Sequence, residues 1–170
     1  MVVPYMTEMK LIKDGGFVDD PFVTLADDDP QPANGTIVSL ARFEKERDAL
    51  IARNAPLGVR LKSDESPERL GSDIDRLSVI VLEFPKFRDG RAFSWARMLR
   101  TRLRFKGEIR AAGHFLYDQL AYLTRVGVDA FEVPDGFTIA EFDRAMGEIT
   151  NVYQPSADGR PTIRQLRSRA

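Results

Sequence analysis

The chain has 170 residues, of which 43% are hydrophobic and 30% charged, the balance of one globular domain. It contains no cysteine and one histidine, His114. That composition excludes disulfides, thiolate nucleophiles, thiolate-bound zinc or iron–sulfur clusters, and any His-rich metal site. The start, MVVPYMTEMKLIKDGG, shows no basic region leading into a long apolar stretch, and the aliphatic run Val79-Ile80-Val81-Leu82 is too short to span a bilayer. A cytoplasmic protein of bacterial style is therefore expected.

The pattern along the chain opens with a hairpin. Met9–Ile12 and Phe17-Val18 flank Asp14-Gly15-Gly16, a tight-turn signal, and Phe22–Leu25 continues as a short strand. Asp28–Gly35 is a loop by its Pro, Asn and Gly content. From Thr36 onward a short aliphatic run followed by an amphipathic helix recurs five times. Thr36–Leu40 leads into a helix over 42–54, and Leu57–Leu61 into one over 67–77, capped by Ser66 with Pro67 at its first position. Ser78–Phe84 leads into 91–104, and Glu108–Ala112 into 115–126, closed by Gly127. Ala130–Val133 leads into 139–149, with Ile139, Phe142, Ala145, Met146 and Ile149 on one stripe. Residues 154–161 read as the start of a mobile tail.

Such alternation predicts an α/β fold: about five successive strand–helix units in a mostly parallel sheet, open or resembling part of a barrel, preceded by an N-terminal β-hairpin. Five units cannot close an eight-stranded barrel, so an open sheet is the simpler expectation. The chain divides into an acidic hairpin-and-loop appendage over 1–35, an α/β domain over 36–153 and a basic flexible tail over 154–170.

Charge is unevenly spread. Residues 1–35 hold two lysines against seven acids, a net of −5, while residues 86–110 hold nine basic side chains against Asp89 and Glu108, a net of +7. The whole-chain net charge of −1 hides this contrast.

In parallel α/β sheets, ligands gather beyond the carboxyl ends of the strands. There the sequence places Glu83, Lys86, Asp89, Gly90, Arg91 and Ser94 after the central run, and His114 and Gln119 after the next. A helix beginning near Arg91 offers free N–H groups, and Lys86 and Arg91 add positive charge suited to an oxyanion. An ordinary capped loop is the plainer alternative. Arg97, Arg100 and Arg104 share one helical face, which suits an anionic ligand, an acidic partner or simply water. Nucleic acid is disfavoured, because aromatic residues are sparse among these cations. No GxGxxG or GxxxxGK[ST] occurs, so nucleotide fingerprints are absent. His114 is the one side chain whose ordinary pKa lies near neutrality, which makes it, with Glu83 and Asp89, a candidate acid–base group.

Residues 82–133, with LEFPKF, the DGRAFS segment and KGEIRA, resemble the core signature of a bacterial family of unknown function. Its members are commonly labelled as oxidoreductases probably involved in sulfite reduction. Matching positions include Glu83, Lys86, Asp89, Gly90, Arg91, Ser94, Arg97, Arg110 and Gln119; His114 and Tyr117 depart from it, standing where the family usually has Asp and Arg. The resemblance implies an accessory role in sulfite reduction within sulfate assimilation. Lys86, Gly90, Arg91, Ser94, Arg97, Arg110 and Gln119 would meet a small oxyanion, a phosphorylated ligand or a sulfite reductase component. Two alternatives are a small-molecule enzyme acting through Glu83, Asp89 or His114, and a self-associating interaction module. No cofactor is assigned and no metal site is expected.

Overall fold

A computed structural model describes residues 9–30 and 35–168; residues 1–8 and 31–34 of the expected appendage and 169–170 of the expected tail lie outside them. Eight strands form one sheet: β1 (Met9–Lys13), β2 (Gly16–Val18), β3 (Phe22–Thr24), β4 (Gly35–Ser39), β5 (Leu57–Leu61), β6 (Val79–Phe84), β7 (Glu108–Gly113) and β8 (Ala130–Pro134). Their order is β2-β1-β8-β7-β6-β5-β4-β3. From β3 to β8 each strand runs parallel to its successor, whereas β1 is antiparallel to both β8 and β2.

The sheet is thus mixed, which corrects the expectation of a mostly parallel one. The cause is local. Asp14 and Gly15, at φ 51° and 79°, turn the chain back within two residues, which forces β1 and β2 antiparallel. The expected N-terminal hairpin is present as β1 and β2, and β1 pairs with β8 over five residues, joining it to the sheet.

The sheet is curled and open, in the manner of a half-barrel. Its two edge strands, β2 and β3, are consecutive in sequence, with only Asp19, Asp20 and Pro21 between them. Four Cα–Cα steps of about 3.8 Å allow Val18 and Phe22 a separation of at most about 15 Å. Eight strands laid flat would hold their edges about 34 Å apart. The short link is therefore possible only because the sheet bends its edges toward each other.

The helices are α1 (Leu40–Ala52), α2 (Arg91–Thr101), α3 (Leu120–Val126), α4 (Ile139–Gly147) and α5 (Ile163–Arg167). Strand residues Val38, Val59, Ile80, Ile109 and Phe131 pack with Phe43, Leu50, Ala96, Leu99, Leu123 and Phe142 in one core. A smaller cluster of Ile37, Val79, Val81 and Ala112, with Phe22 against it, lies on the opposite, concave face. The helices of β4 to β8 thus cover a single face, as same-handed crossovers between strands laid in sequence order require.

Local signals account for the helix ends. Ser39 accepts from the Arg42 N–H, and Thr138 and Glu141 form a reciprocal capping box. The segment expected as a helix over 67–77 has the foreseen Ser66 cap and Pro67, but it is a 3-10 stretch over Pro67–Arg76, broken at Gly71. α2 ends at Thr101, so Arg104 lies beyond it, at φ 58°, and shares no helical face with Arg97. After α4 the chain returns: Arg125 pairs with Asp158 at 3.1 Å, and the Ile163 N–H donates to the Val152 carbonyl at 2.9 Å. Among the described residues no helix is long and apolar enough to cross a membrane.

Candidate functional site

Strand register places a set of charged side chains on the concave face. Arg60, Val81, Arg110, Ala130 and Lys13 are successive partners across five strands, so Arg60, Arg110 and Lys13 point to the same side as Val81. Glu83 and Glu108, two residues along β6 and β7 from those positions, share that side, as does Glu132 two residues beyond Ala130.

These groups form a continuous network. Lys13 Nζ lies 2.8 Å from Glu108, whose other oxygen accepts from Arg110 Nε at 2.9 Å. Arg110 grips Asp20 with both terminal nitrogens, at 2.5 and 3.0 Å, and approaches Glu132 at 3.6 Å. Arg60 donates to Glu132 at 3.1 Å and stands 3.7 Å from Glu83. Exposure of the side chains rises along the chain of contacts, from 0% at Arg110 and 16% at Glu132 to 23% at Arg60 and 38% at Glu83. Lys13, Asp20 and Glu83, at 39%, 36% and 38% exposure, are thus where this network meets solvent. Three cations (Lys13, Arg60, Arg110) face four carboxylates (Asp20, Glu83, Glu108, Glu132), which leaves a net charge of −1. Arg60 Nε is buried without a hydrogen-bond partner among the described residues.

The loop after β6 holds the next group. Asp89 accepts from the Arg91 N–H at 3.2 Å and pairs with its guanidinium at 2.7 Å, and Arg91 also donates to Ser63 at 2.9 Å. These contacts, Arg91 first and then Ser63, hold the Asp89 carboxyl well below the usual carboxylate range. Gly90 is the N-cap of α2 and supplies no side-chain bond to it. Lys86 is exposed with no ion-pair partner among the described residues, and Arg88 lies over the Phe87 ring at 5.3 Å. With Asp89 opposing Arg91, neither Lys86 nor Arg88 has an ion-pair partner among the described residues. Gln119 fastens it: its Nε2 donates to the Phe87 carbonyl at 3.2 Å while its Oε1 accepts from the Leu116 N–H.

The remaining candidates disperse. His114 follows β7 directly and is exposed; its backbone N–H donates to the Phe84 carbonyl at 2.7 Å. Ser94 and Arg97 lie on the solvent side of α2. Arg110 belongs to the concave network, away from solvent. Arg100 is turned inward, donating to the carbonyls of Gly127, Phe105 and Gly107 and pairing with Asp129. The structure therefore brings Glu83 and Arg110 into one network and Lys86, Asp89, Gly90, Arg91 and Gln119 into one loop system.

Arg60, Asp20, Glu108, Lys13 and Glu132 are not among the site residues expected from the sequence. A signal was present: Arg60, Glu83, Glu108, Arg110 and Glu132 occupy alternate positions within otherwise apolar strands. Among the described residues no cluster of His, Cys, Asp and Glu side chains is arranged to hold a metal ion.

Together these features define a helix-backed α/β protein whose curled sheet carries a charged concave face. Residues 58–163, more than half the chain, match the family described as bacterial protein of unknown function (DUF934), and the chain belongs to that family. No curated protein matches it.

Proposed function

We propose that this protein is an accessory protein of sulfite reduction in sulfate assimilation, binding a small oxyanion or an acidic partner surface at the β6–α2 loop. The observation that carries this is the loop's charge: Lys86, Arg88 and Arg91 against Asp89, with Lys86 and Arg88 in no ion pair among the described residues, at the start of an eleven-residue helix. Cations at the positive end of a helix favour an anion. The pathway rests on the resemblance of residues 82–133 to the family labelled for sulfite reduction.

The test is a thermal-shift screen against sulfite, sulfate, phosphate esters and purified sulfite reductase, on the wild type and on Lys86→Ala/Arg88→Ala. A binder raises the melting temperature of the native state, and the double variant is expected to lose that rise. A rise that the double variant retains places the ligand elsewhere. Indifference to every component contradicts the proposal.

A second possibility, a small-molecule enzyme, is favoured by Glu83, a carboxylate at the mouth of the concave face whose contact with Arg60 is as long as 3.7 Å. Glu83→Gln would then abolish turnover while leaving oxyanion binding intact.

A further inference from the structure

Beside the β6–α2 loop, the loops that follow β7 and β8 enclose a cavity of about 350 Å3, at the lower end of the size range of small-molecule sites. Its walls are largely apolar and include three rings, those of Phe115, Tyr117 and Phe137. Its charged lining residues are Glu132 and Glu141, and among the described residues no Lys, Arg or His lines it. We propose that this cavity binds a small organic cation, a primary ammonium carried on an apolar body the size of one aromatic ring. This goes beyond the oxyanion site and does not depend on it.

Three observations lead there. First, the cavity lies at the carboxyl ends of two adjacent parallel strands, where half-barrel and barrel folds collect ligands. Its rim is shaped by the turn in which the Phe137 N–H donates to the Pro134 carbonyl at 3.1 Å. Second, the two carboxylates differ in what they already hold. Glu132 is matched by Arg60, whereas the donors to Glu141 are neutral: the Thr138 N–H and hydroxyl, each at 2.8 Å. Those bonds, helped by the field of Arg144 three residues along α4, keep Glu141 ionised, and it forms no salt bridge among the described residues. Third, aromatic rings offer a cation their negative faces. An anion would meet only carboxylates here. A neutral ligand would leave the Glu141 charge with only the field of Arg144.

The test uses benzylammonium as the probe, with benzyl alcohol and benzoate as matched neutral and anionic bodies, in calorimetric titrations. Glu141→Gln removes the charge yet keeps the capping box, since glutamine can accept the same bonds from Thr138. Benzylammonium is expected to bind saturably, more tightly than either control, and to weaken about tenfold in Glu141→Gln. Phe137→Ala is expected to weaken it as well, while Lys86→Ala/Arg88→Ala leaves it unchanged, which separates this site from the oxyanion site. Benzoate binding as tightly as benzylammonium, equal affinity in Glu141→Gln, or no binding of the ammonium at about 10 mM overturns the proposal.

Discussion

Asp20 and Arg110 are 90 residues apart in sequence, yet the carboxylate of one receives both terminal nitrogens of the other inside the curled sheet. Asp20 lies between the two edge strands and Arg110 near the sheet's centre, so this fork spans the concave face. Phe22 reinforces it, its ring 5.9 Å from the Arg110 guanidinium. A wholly buried guanidinium persists only because Asp20, Glu108 and Glu132 surround it.

Arg110→Met leaves those three carboxylates facing one another without their shared cation. We expect a loss of about 3–5 kcal/mol in urea unfolding, the usual penalty for an uncompensated buried charge. Asp20→Ala keeps two of the partners, and its cost should be about 1–3 kcal/mol. Equal, small losses in both variants would show that the fork contributes little.

Gly58 marks how tightly the concave face is packed. A Cβ there would lie 2.4 Å from Val79 Cγ1 and 2.8 Å from Ile37 Cγ1. Gly58→Ala should therefore destabilise the fold by about 1–3 kcal/mol through overpacking. An unchanged denaturation midpoint would contradict that geometry.

Acid sensitivity follows from three carboxyls held below their ordinary values. Arg91 and then Ser63 lower Asp89, Lys10 lowers Asp135, and Thr138 lowers Glu141. A carboxyl whose folded pKa is depressed contributes stability that is complete above its unfolded value of about 4 and is lost as pH falls through the folded value. Melting temperature should thus decline from about pH 5 downward. Asp89→Asn is expected to melt lower at neutral pH and to show a shallower acid decline. A wild-type slope in the variant would exclude Asp89 as a contributor.

Gln119→Ala cuts the bond to Phe87 and the cap on Leu116 together. Amide exchange should accelerate in residues 86–90, and the oxyanion binding proposed for this loop should weaken, while global stability falls by no more than about 1–2 kcal/mol. Unaltered exchange in that loop would mean that Gln119 does not hold it.

Much of the fold is visible in the sequence because its signals are local. Asp14-Gly15 dictates the hairpin, the aliphatic runs mark the strands, and Thr138 with Glu141 marks the start of α4. The unit count was also informative, since β4 to β8 are the five strands that precede or follow helical segments in order. What escaped is non-local. Nothing in Val18–Phe22 says that its two ends lie on opposite edges of one sheet, because that depends on β1 docking against β8. Arg100 looked like one of a row of surface cations; the carbonyls it caps belong to residues 105, 107 and 127, which only the folded chain brings near. The loop around Lys86 and Arg91 was legible for the opposite reason, being contiguous in sequence.

The most direct test of the functional account is growth of the native bacterium lacking this protein on defined sulfur sources. An accessory role in sulfite reduction predicts poor growth on sulfate or sulfite, relieved by sulfide or cysteine. It also predicts complementation by the wild type and not by Lys86→Ala/Arg88→Ala. Equal growth of the deletion strain on sulfite and on sulfide would contradict the account.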